Sequence, residues 1–275
     1  MDNNDINEEV EQTSVPEEVE LSHSDKMIGI LSEPSKTFES ISKFPPRTID
    51  WLLPIFLLLL FVAVSRIIVL KNDEIRYEVK QKQIAKIEKG LQESVKEGKI
   101  TQQQANQRLD LIEENMDKFG SGSIGTIIQT VSIFIGGFII FLITSGIFFL
   151  FAKFLLKGEG TYTGTLVANG LSAYIGIITV ILAAICSLVF SRMFNDVSLA
   201  SFLNTDKSTI MGFIFGKIDI ISIWAYVVFS IGLAKMFKSA STGKYYGLVF
   251  GLWIIGTLIL FILAKSIPFM SNFIQ

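Results

Sequence analysis

The sequence has little of the chemistry on which metalloproteins and disulfide-bonded proteins depend. It contains one histidine and one cysteine in 275 residues, and only 18% of its residues are charged. His23 lies in a polar, acidic segment and Cys186 in an apolar run. The chain therefore has neither the ligands for a metal cluster nor the thiol pairs of a disulfide framework. We expect no metal and no other cofactor.

Acidic residues are scarce in the C-terminal half. Of the 26 Asp and Glu residues, all but four precede residue 120; the four are Glu159, Asp196, Asp206 and Asp219. Half of the whole chain is apolar and only 18% of it is charged, whereas soluble proteins carry about 25% charged residues. We predict an integral membrane protein, which excludes a cytosolic enzyme. The net charge of −2 gives no reason to expect nucleic acid as a partner.

Five apolar stretches are predicted to cross the bilayer as helices, which needs about 20 apolar residues each. They lie at about 52–70, 124–151, 166–190, 218–236 and 246–264. The predicted fold class is an all-α integral membrane protein with its termini on opposite sides. Residues 210–215 are too short to cross and are expected at the interface. The candidate membrane-interface charges are Arg66, Lys217 and Asp219, since charged side chains near span ends reach the headgroups.

The first 50 residues divide into two parts. Residues 1–25 hold nine carboxylates and no Lys or Arg, a composition typical of a disordered acidic tail. In residues 26–50, apolar side chains recur at helical spacing, which predicts an amphipathic helix, or two short ones meeting at Pro34. This segment either lies along the membrane surface or docks against the spans. The candidate interfacial contacts are Met27, Leu31, Phe38, Ile41 and Trp51.

Residues 71–119 form a hydrophilic insert in the membrane domain of residues 51–275. The insert carries two blocks of apolar residues at helical spacing. Gly98 is a helix stop between them, and Thr101 with Gln104 has the spacing of a capping box. We predict a helical hairpin outside the membrane, whose narrow apolar seam pairs with itself or dimerises as a coiled coil.

Small residues at four-residue spacing mark candidate helix-packing faces, because close backbone approach drives helix association in lipid. Three such ridges occur: Gly243, Gly247 and Gly251; Ala168, Ser172 and Gly176; and Gly212 with Gly216. Besides the lipid bilayer, the expected binding partner of this protein is a second copy of itself or another membrane protein.

Catalytic residues are not expected. Intramembrane hydrolysis needs a base, two facing carboxylates or metal ligands at membrane depth. The spans offer Asp219 alone. We therefore predict a non-enzymatic membrane scaffold or interaction protein. The alternative is a small-solute transporter or channel component.

Orientation follows from the short basic segments. If the N-terminus is cytoplasmic, short cytoplasmic segments carry eight Lys or Arg residues and outer ones carry four. The excess on the cytoplasmic side favours this orientation. The C-terminus and the insert are then outside, in a bacterial cytoplasmic membrane.

Several short motifs are shared with one known family. The segment from Glu33 to Ile41 reads EPSKTFESI, and further motifs follow in order at 158–165, 219–224, 232–234 and 241–253. Together they resemble the Yip family (Ypt-interacting-protein domain), in its bacterial branch, over residues 30–265 without the insert. The resemblance implies five spans and a cytoplasmic N-terminus. Eukaryotic relatives act in vesicle traffic, bind Rab-type GTPases and associate with one another, so a GTPase partner is implied by this analogy alone.

Overall fold

The computed structural model describes residues 19–119 and 123–266. Every regular element in these two ranges is a helix, in agreement with the predicted all-α fold class. Helices α1 (His23–Ser32) and α2 (Pro34–Ile41) are followed by α3 (Ile49–Val69), α4 (Asp73–Lys96) and α5 (Gln102–Phe119). Then come α6 (Ser123–Leu150) with a π-helical turn (Phe151–Leu155), α7 (Tyr162–Val189), α8 (Leu199–Phe202), α9 (Ile210–Phe215), α10 (Ile220–Met236) and α11 (Gly243–Ser266).

Four of these helices are long and apolar enough to cross a membrane. They comprise Ile49–Val69, Ile124–Leu155, Tyr162–Val189 and Gly243–Ala264. Helix α10 is apolar but has only 17 residues, about 26 Å at 1.5 Å per residue. It is therefore shorter than the roughly 30 Å of a bilayer's hydrocarbon core.

Helix α7 lies at the centre of the bundle and packs against α3, α6 and α10. Its approach to α3 depends on Gly170, where an added Cβ would lie 2.5 Å from Cα of Trp51. Any side chain at this position would therefore separate the two helices. Helix α11 packs against α10 and touches the π-helical turn at the edge of the bundle.

The N-terminal segment forms two short helices, which is one of the two arrangements that the sequence predicted. The break comes at Glu33, and Pro34 opens α2 at a position where its missing N–H costs nothing. Helix α1 begins at His23, inside the predicted tail of residues 1–25, because the Ser22 side chain caps it by accepting from the Asp25 N–H. Residues 1–18 of that predicted tail lie outside the described residues.

Helix α2 packs against α10, so this segment is docked against the helical bundle. Phe38 is completely buried, and its ring fills the space beside Gly232, where an added Cβ would lie 2.5 Å from Cζ of Phe38. Ile41 is also buried. These two residues therefore contact protein, as expected for a segment docked against the spans, which was one of the two predicted arrangements.

Helices α4 and α5 pack against each other. Gly98 joins them with a φ of 71°, a left-handed conformation that favours glycine. Thr101 and Gln104 form the predicted reciprocal cap, since each backbone N–H is bound by the other side chain at 2.9 and 3.2 Å. Ala105 of α5 is buried.

Between α9 and α10 the helical path is interrupted at residues 216–219. Asp219 begins α10 as its N-cap, and its carboxylate accepts from the backbone N–H groups of Ile221 and Ser222 at 3.0 and 3.1 Å. It is 4% exposed. The predicted interface charge therefore has a structural partner, the N-terminus of α10.

Candidate functional site

A buried charge cluster joins the N-terminal helices to the bundle. Lys26 of α1 and Asp50 in the first turn of α3 are each 2% exposed, and Lys26 Nζ donates to Asp50 Oδ2 at 2.6 Å. Isolated charges are very costly to bury, so each side chain depends on the other for compensation. Asp50 is further favoured by its position at a helix N-terminus.

His23 extends the cluster to the central helix. Its Nδ1 lies 2.9 Å from Asp50 Oδ1, and its Nε2 lies 2.6 Å from Oη of Tyr174 on α7. A neutral ring donates from Nδ1 to the carboxylate and accepts the tyrosine hydroxyl at Nε2, whereas a protonated ring donates to both. Either form satisfies both contacts. One imidazole thus connects α1, α3 and α7.

Two more charged residues complete the cluster. Glu20 accepts from Lys26 Nζ at 2.9 Å and also forms an ion pair with Arg47. With His23 neutral, two carboxylates balance two cations. We call Glu20, His23, Lys26, Asp50 and Tyr174 the N-terminal latch, since these five side chains fasten residues 20–26 to the bundle.

The sequence alone did not indicate the latch. It places His23 in an acidic segment, and nothing in a spacing of 27 residues to Asp50 or 151 to Tyr174 links these positions. One local signal was present: Ser22 followed three residues later by Asp25 is a helix-start pattern. It locates the start of α1 but not its partners.

The predicted packing residues divide into two groups in the structure. Ala168 and Ser172 are buried in the bundle, and a Cβ at Gly176 would lie 3.4 Å from the Leu58 side chain of α3. A Cβ at Gly212 would overlap the carbonyl oxygen of Asp206, and one at Gly216 would lie 3.2 Å from the Gly212 carbonyl. These two ridges are therefore occupied by the chain itself.

The third ridge, on α11, is open. A Cβ at Gly247 or Gly251 would meet no other described part of the chain within 4 Å, and one at Gly243 only Ser241 Oγ at 3.8 Å. Further along the same face, Ile254 and Leu258 are 49% and 42% exposed. The open glycines thus continue into an exposed apolar surface.

The remaining interfacial candidates lie around α1 and the start of α3. Met27 is half-buried against the core, and Leu31 is 41% exposed. Trp51 stacks on Phe141 of α6 with ring centroids 6.0 Å apart. Its indole N–H has no hydrogen-bond partner among the described residues.

The other two predicted interface charges lie in separate surroundings. Lys217 Nζ lies 5.0 Å from the ring centroid of Phe213 and 5.5 Å from that of Trp253 on α11. The two aromatic faces attract the ammonium group electrostatically. Arg66 lines a cavity with Arg76 of α4 and Gln129 of α6.

A polar cluster also organises the loop before α8. Asp196 accepts from Ser198 Oγ and Lys207 Nζ at 2.6 Å each and from Ser201 Oγ at 2.5 Å. Burial raises the pKa of Asp196, but the bonds from Lys207, Ser198 and Ser201 together lower it below its ordinary value. The loop is therefore held by an ionised carboxylate.

Taken together, the described residues form only helices, four of which are apolar and long enough to span a membrane, so the chain is a multi-pass integral membrane protein. The family model of the Yip1 domain matches residues 28–264, which is most of the chain. This protein therefore belongs to the Yip1 domain family. None of the curated proteins and none of the solved structures compared with the chain matches it. Of the latch, Asp50 and Tyr174 lie within the matched residues, whereas Glu20, His23 and Lys26 precede them.

Proposed function

We propose that this Yip1-domain protein is a non-enzymatic scaffold that organises membranes by associating with further copies of itself. The observation that carries the proposal is the open glycine face of α11. Lipid chains are as apolar as leucine, so small residues promote helix association by allowing close backbone approach. Inside the bundle, two such positions are filled: Gly170 and Gly232 receive Trp51 and Phe38. On α11 the same kind of surface is left uncovered.

The occupant that fits the open face is α11 of a second copy. A two-fold symmetric contact uses the same surface on both partners, and a glycine face is complementary to itself. Because both copies would have the same orientation in the membrane, the two α11 helices would cross in parallel, and the exposed cation Lys244 would lie in the first turn of each. The scaffold would thus be at least a dimer.

The association is tested with Gly247→Leu/Gly251→Leu, which fills the face. We expect the oligomer population to shift to monomer, measured by photobleaching step counts of labelled protein in liposomes at several dilutions. The matched control is Gly136→Leu on α6, where an added Cβ also meets no other described part of the chain. An unchanged oligomer distribution in the double variant would remove this part of the proposal.

We further propose five membrane crossings in a bacterial cytoplasmic membrane, with the N-terminus cytoplasmic and the α4–α5 hairpin outside. The fourth crossing would be α9 and α10 together, interrupted at 216–219. Two observations support this arrangement. Lys235 at the end of α10 binds Glu39 of α2 at 2.7 Å. The pKa of Asp206, in the loop before α9, is lowered mainly by hydrogen bonds from Ser208, and the charge of Lys89 on α4 adds to this shift.

The topology is tested by thiol labelling of intact cells in a Cys186→Ser background. Cysteines at Ser94 and Ser208 should react with an impermeant maleimide, whereas cysteines at Ser35 and Ser239 should react only after permeabilisation. The reverse pattern would invert the orientation. Labelling of Ser94 and Ser208 from different sides would exclude five crossings.

The scaffold is distinguished from a small-solute transporter by flux. Proteoliposomes containing the full chain should leak small ions and sugars no faster than liposomes without protein. A solute that crosses in a protein-dependent, saturable way would replace the scaffold with a transporter.

A further inference from the structure

A cavity of about 480 Å³ lies where the last turn of α3 meets α4, α5 and α6. Its polar lining comprises Arg66, Asp73, Arg76, Lys80, Gln83 and Gln129. Leu70, Val79 and Met116 give it an apolar wall, and Tyr77, whose side chain is 66% exposed, lines it at the rim. We call this cavity the α3–α4 pocket.

The α3–α4 pocket has an excess of positive charge. Three cationic side chains line it, against one carboxylate, Asp73. Asp73 is already bound by Arg76 of its own helix. Arg66 has no carboxylate within ion-pair distance among the described residues; the neighbour that its guanidinium can reach is the neutral amide of Gln129. A half-buried guanidinium beside hydrocarbon is costly unless an anion is present.

The surroundings of the pocket are those of a membrane surface. Arg66 lies one turn before the end of α3, and its neighbours Ile67 and Ile68 are 38% and 47% exposed. Ile128, next to Gln129 on α6, is 61% exposed. Hydrocarbon therefore begins beside the cationic end of the pocket. A tyrosine at the rim suits the same depth, since its ring is apolar and its hydroxyl is polar.

We propose that the α3–α4 pocket binds a phosphate-bearing anion, supplied by the headgroup of an anionic phospholipid. The two guanidiniums of Arg66 and Arg76 can each donate paired hydrogen bonds to phosphate oxygens. The apolar wall receives the glycerol backbone, and the acyl chains follow the exposed isoleucines of α3 and α6. The site is independent of the self-association proposed for α11.

The test is lipid binding by the purified full chain in detergent micelles. Dioleoyl-phosphatidylglycerol, dioleoyl-phosphatidylcholine and inorganic phosphate are added at equal phosphorus concentration. Bound lipid is counted by native mass spectrometry, and the melting temperature Tm is followed in parallel. We expect phosphatidylglycerol to bind and to raise Tm, because a ligand of the folded state stabilises it. Phosphatidylcholine should do neither.

The variant that tests the site is Arg66→Gln/Arg76→Gln. Removing each guanidinium should weaken phosphatidylglycerol binding about 10-fold or more, because a charge-assisted hydrogen bond to the phosphate disappears with it. The matched control is Lys99→Gln/Arg108→Gln, which removes two exposed cations of the same α4–α5 pair outside the pocket. Arg76→Gln alone replaces a side chain that is 50% exposed, so we expect this variant to fold normally. It should lose part of the phosphatidylglycerol binding. Arg66→Lys/Arg76→Lys keeps both charges but not the paired hydrogen bonds, so it should bind phosphatidylglycerol more tightly than Arg66→Gln/Arg76→Gln and less tightly than wild type.

Three outcomes would overturn the lipid proposal. One is equal phosphatidylglycerol binding by wild type and Arg66→Gln/Arg76→Gln. Another is an equal loss in the Lys99→Gln/Arg108→Gln control, which would mean unspecific charge attraction. The third is stabilisation by inorganic phosphate as strong as that by phosphatidylglycerol and absent from the pocket variant; it would assign the site to a free anion.

Discussion

The two ends of the bundle handle charge in opposite ways. In the N-terminal latch, Lys26 and Asp50 are each 2% exposed and are bound to each other. In the α3–α4 pocket, Arg66 is half-buried beside a cavity and has a neutral amide for a neighbour. One end is closed by the chain's own counter-ions, and the other is left open to a ligand.

The difference teaches where rigidity and binding are built into this protein. A buried pair satisfied by its own chain is strongly destabilised when one partner is removed. An exposed or half-exposed charge can be substituted at little cost. Charge substitutions should therefore affect folding at the latch and affect ligand binding at the pocket.

The largest expected effect is that of Asp50→Asn, which removes the buried negative charge that Lys26 and His23 both contact and leaves Lys26 with Glu20 as its remaining carboxylate. We expect a loss of about 3–5 kcal/mol in the free energy of unfolding, measured by denaturant titration in detergent micelles. Peptides covering residues 20–41 should also exchange amide hydrogens faster. The matched control is Asp73→Asn, whose side chain is 86% exposed, and it should cost less than about 1 kcal/mol. Equal losses in the two variants would remove the distinction between the ends.

The next effect concerns the docking of α2 rather than charge. Gly232→Ala places a methyl group 2.5 Å from Cζ of Phe38, so the ring must move and overpacking should cost about 1–3 kcal/mol. The control is Gly256→Ala on α11, where an added Cβ meets no other described part of the chain. The control should be stabilising by a few tenths of a kcal/mol or more, because alanine is the better helix former. If Gly232→Ala were equally stabilising, α2 would not be docked on α10.

The sequence predicted where the helices of this fold lie better than it predicted which helices contact one another. Long apolar runs indicated the spans, and Gly98 with Thr101 located the turn before α5, because these are local signals. The apolar spacing of α2 also selected Phe38 and Ile41, which are both buried in the structure. What covers them was left open, since periodicity says that Phe38 is covered and not whether lipid or α10 covers it.

The candidate sites were less predictable, for a related reason. Four-residue spacing does not distinguish a glycine filled by the chain, such as Gly176, from an open one, such as Gly247. The close approach of α3 and α7 occurs at Gly170, which was not selected. The latch and the α3–α4 pocket combine residues far apart in sequence, so they exist only once the helices have assembled.

A moderate effect is expected at Asp196, whose pKa is lowered because its hydrogen bonds outweigh its burial. A lowered pKa in the folded state adds stability above the unfolded value of about 3.9, and this stability is lost as the pH falls through the folded value. Asp196→Asn should therefore cost about 1 kcal/mol at pH 7, given a side chain that is 32% exposed. As the pH falls from about 4 through the lowered folded pKa, wild type and variant should converge. A difference that stays constant from pH 7 to pH 3 would contradict the assigned role of the carboxylate.

The smallest effect is expected for Glu39→Gln, which removes the ion pair between α2 and Lys235 of α10. The hydrogen bond and the charge of Lys235 lower the pKa of Glu39, but the carboxylate is 59% exposed. Salt and water therefore screen the pair, and hydrogen exchange in α2 should change less than in Gly232→Ala. Glu33→Gln is the control, since Glu33 pairs with Lys36 within the N-terminal segment and does not reach α10. If Glu39→Gln released α2 as strongly as Gly232→Ala, and Glu33→Gln did not, docking would depend on this exposed charge rather than on the burial of Phe38.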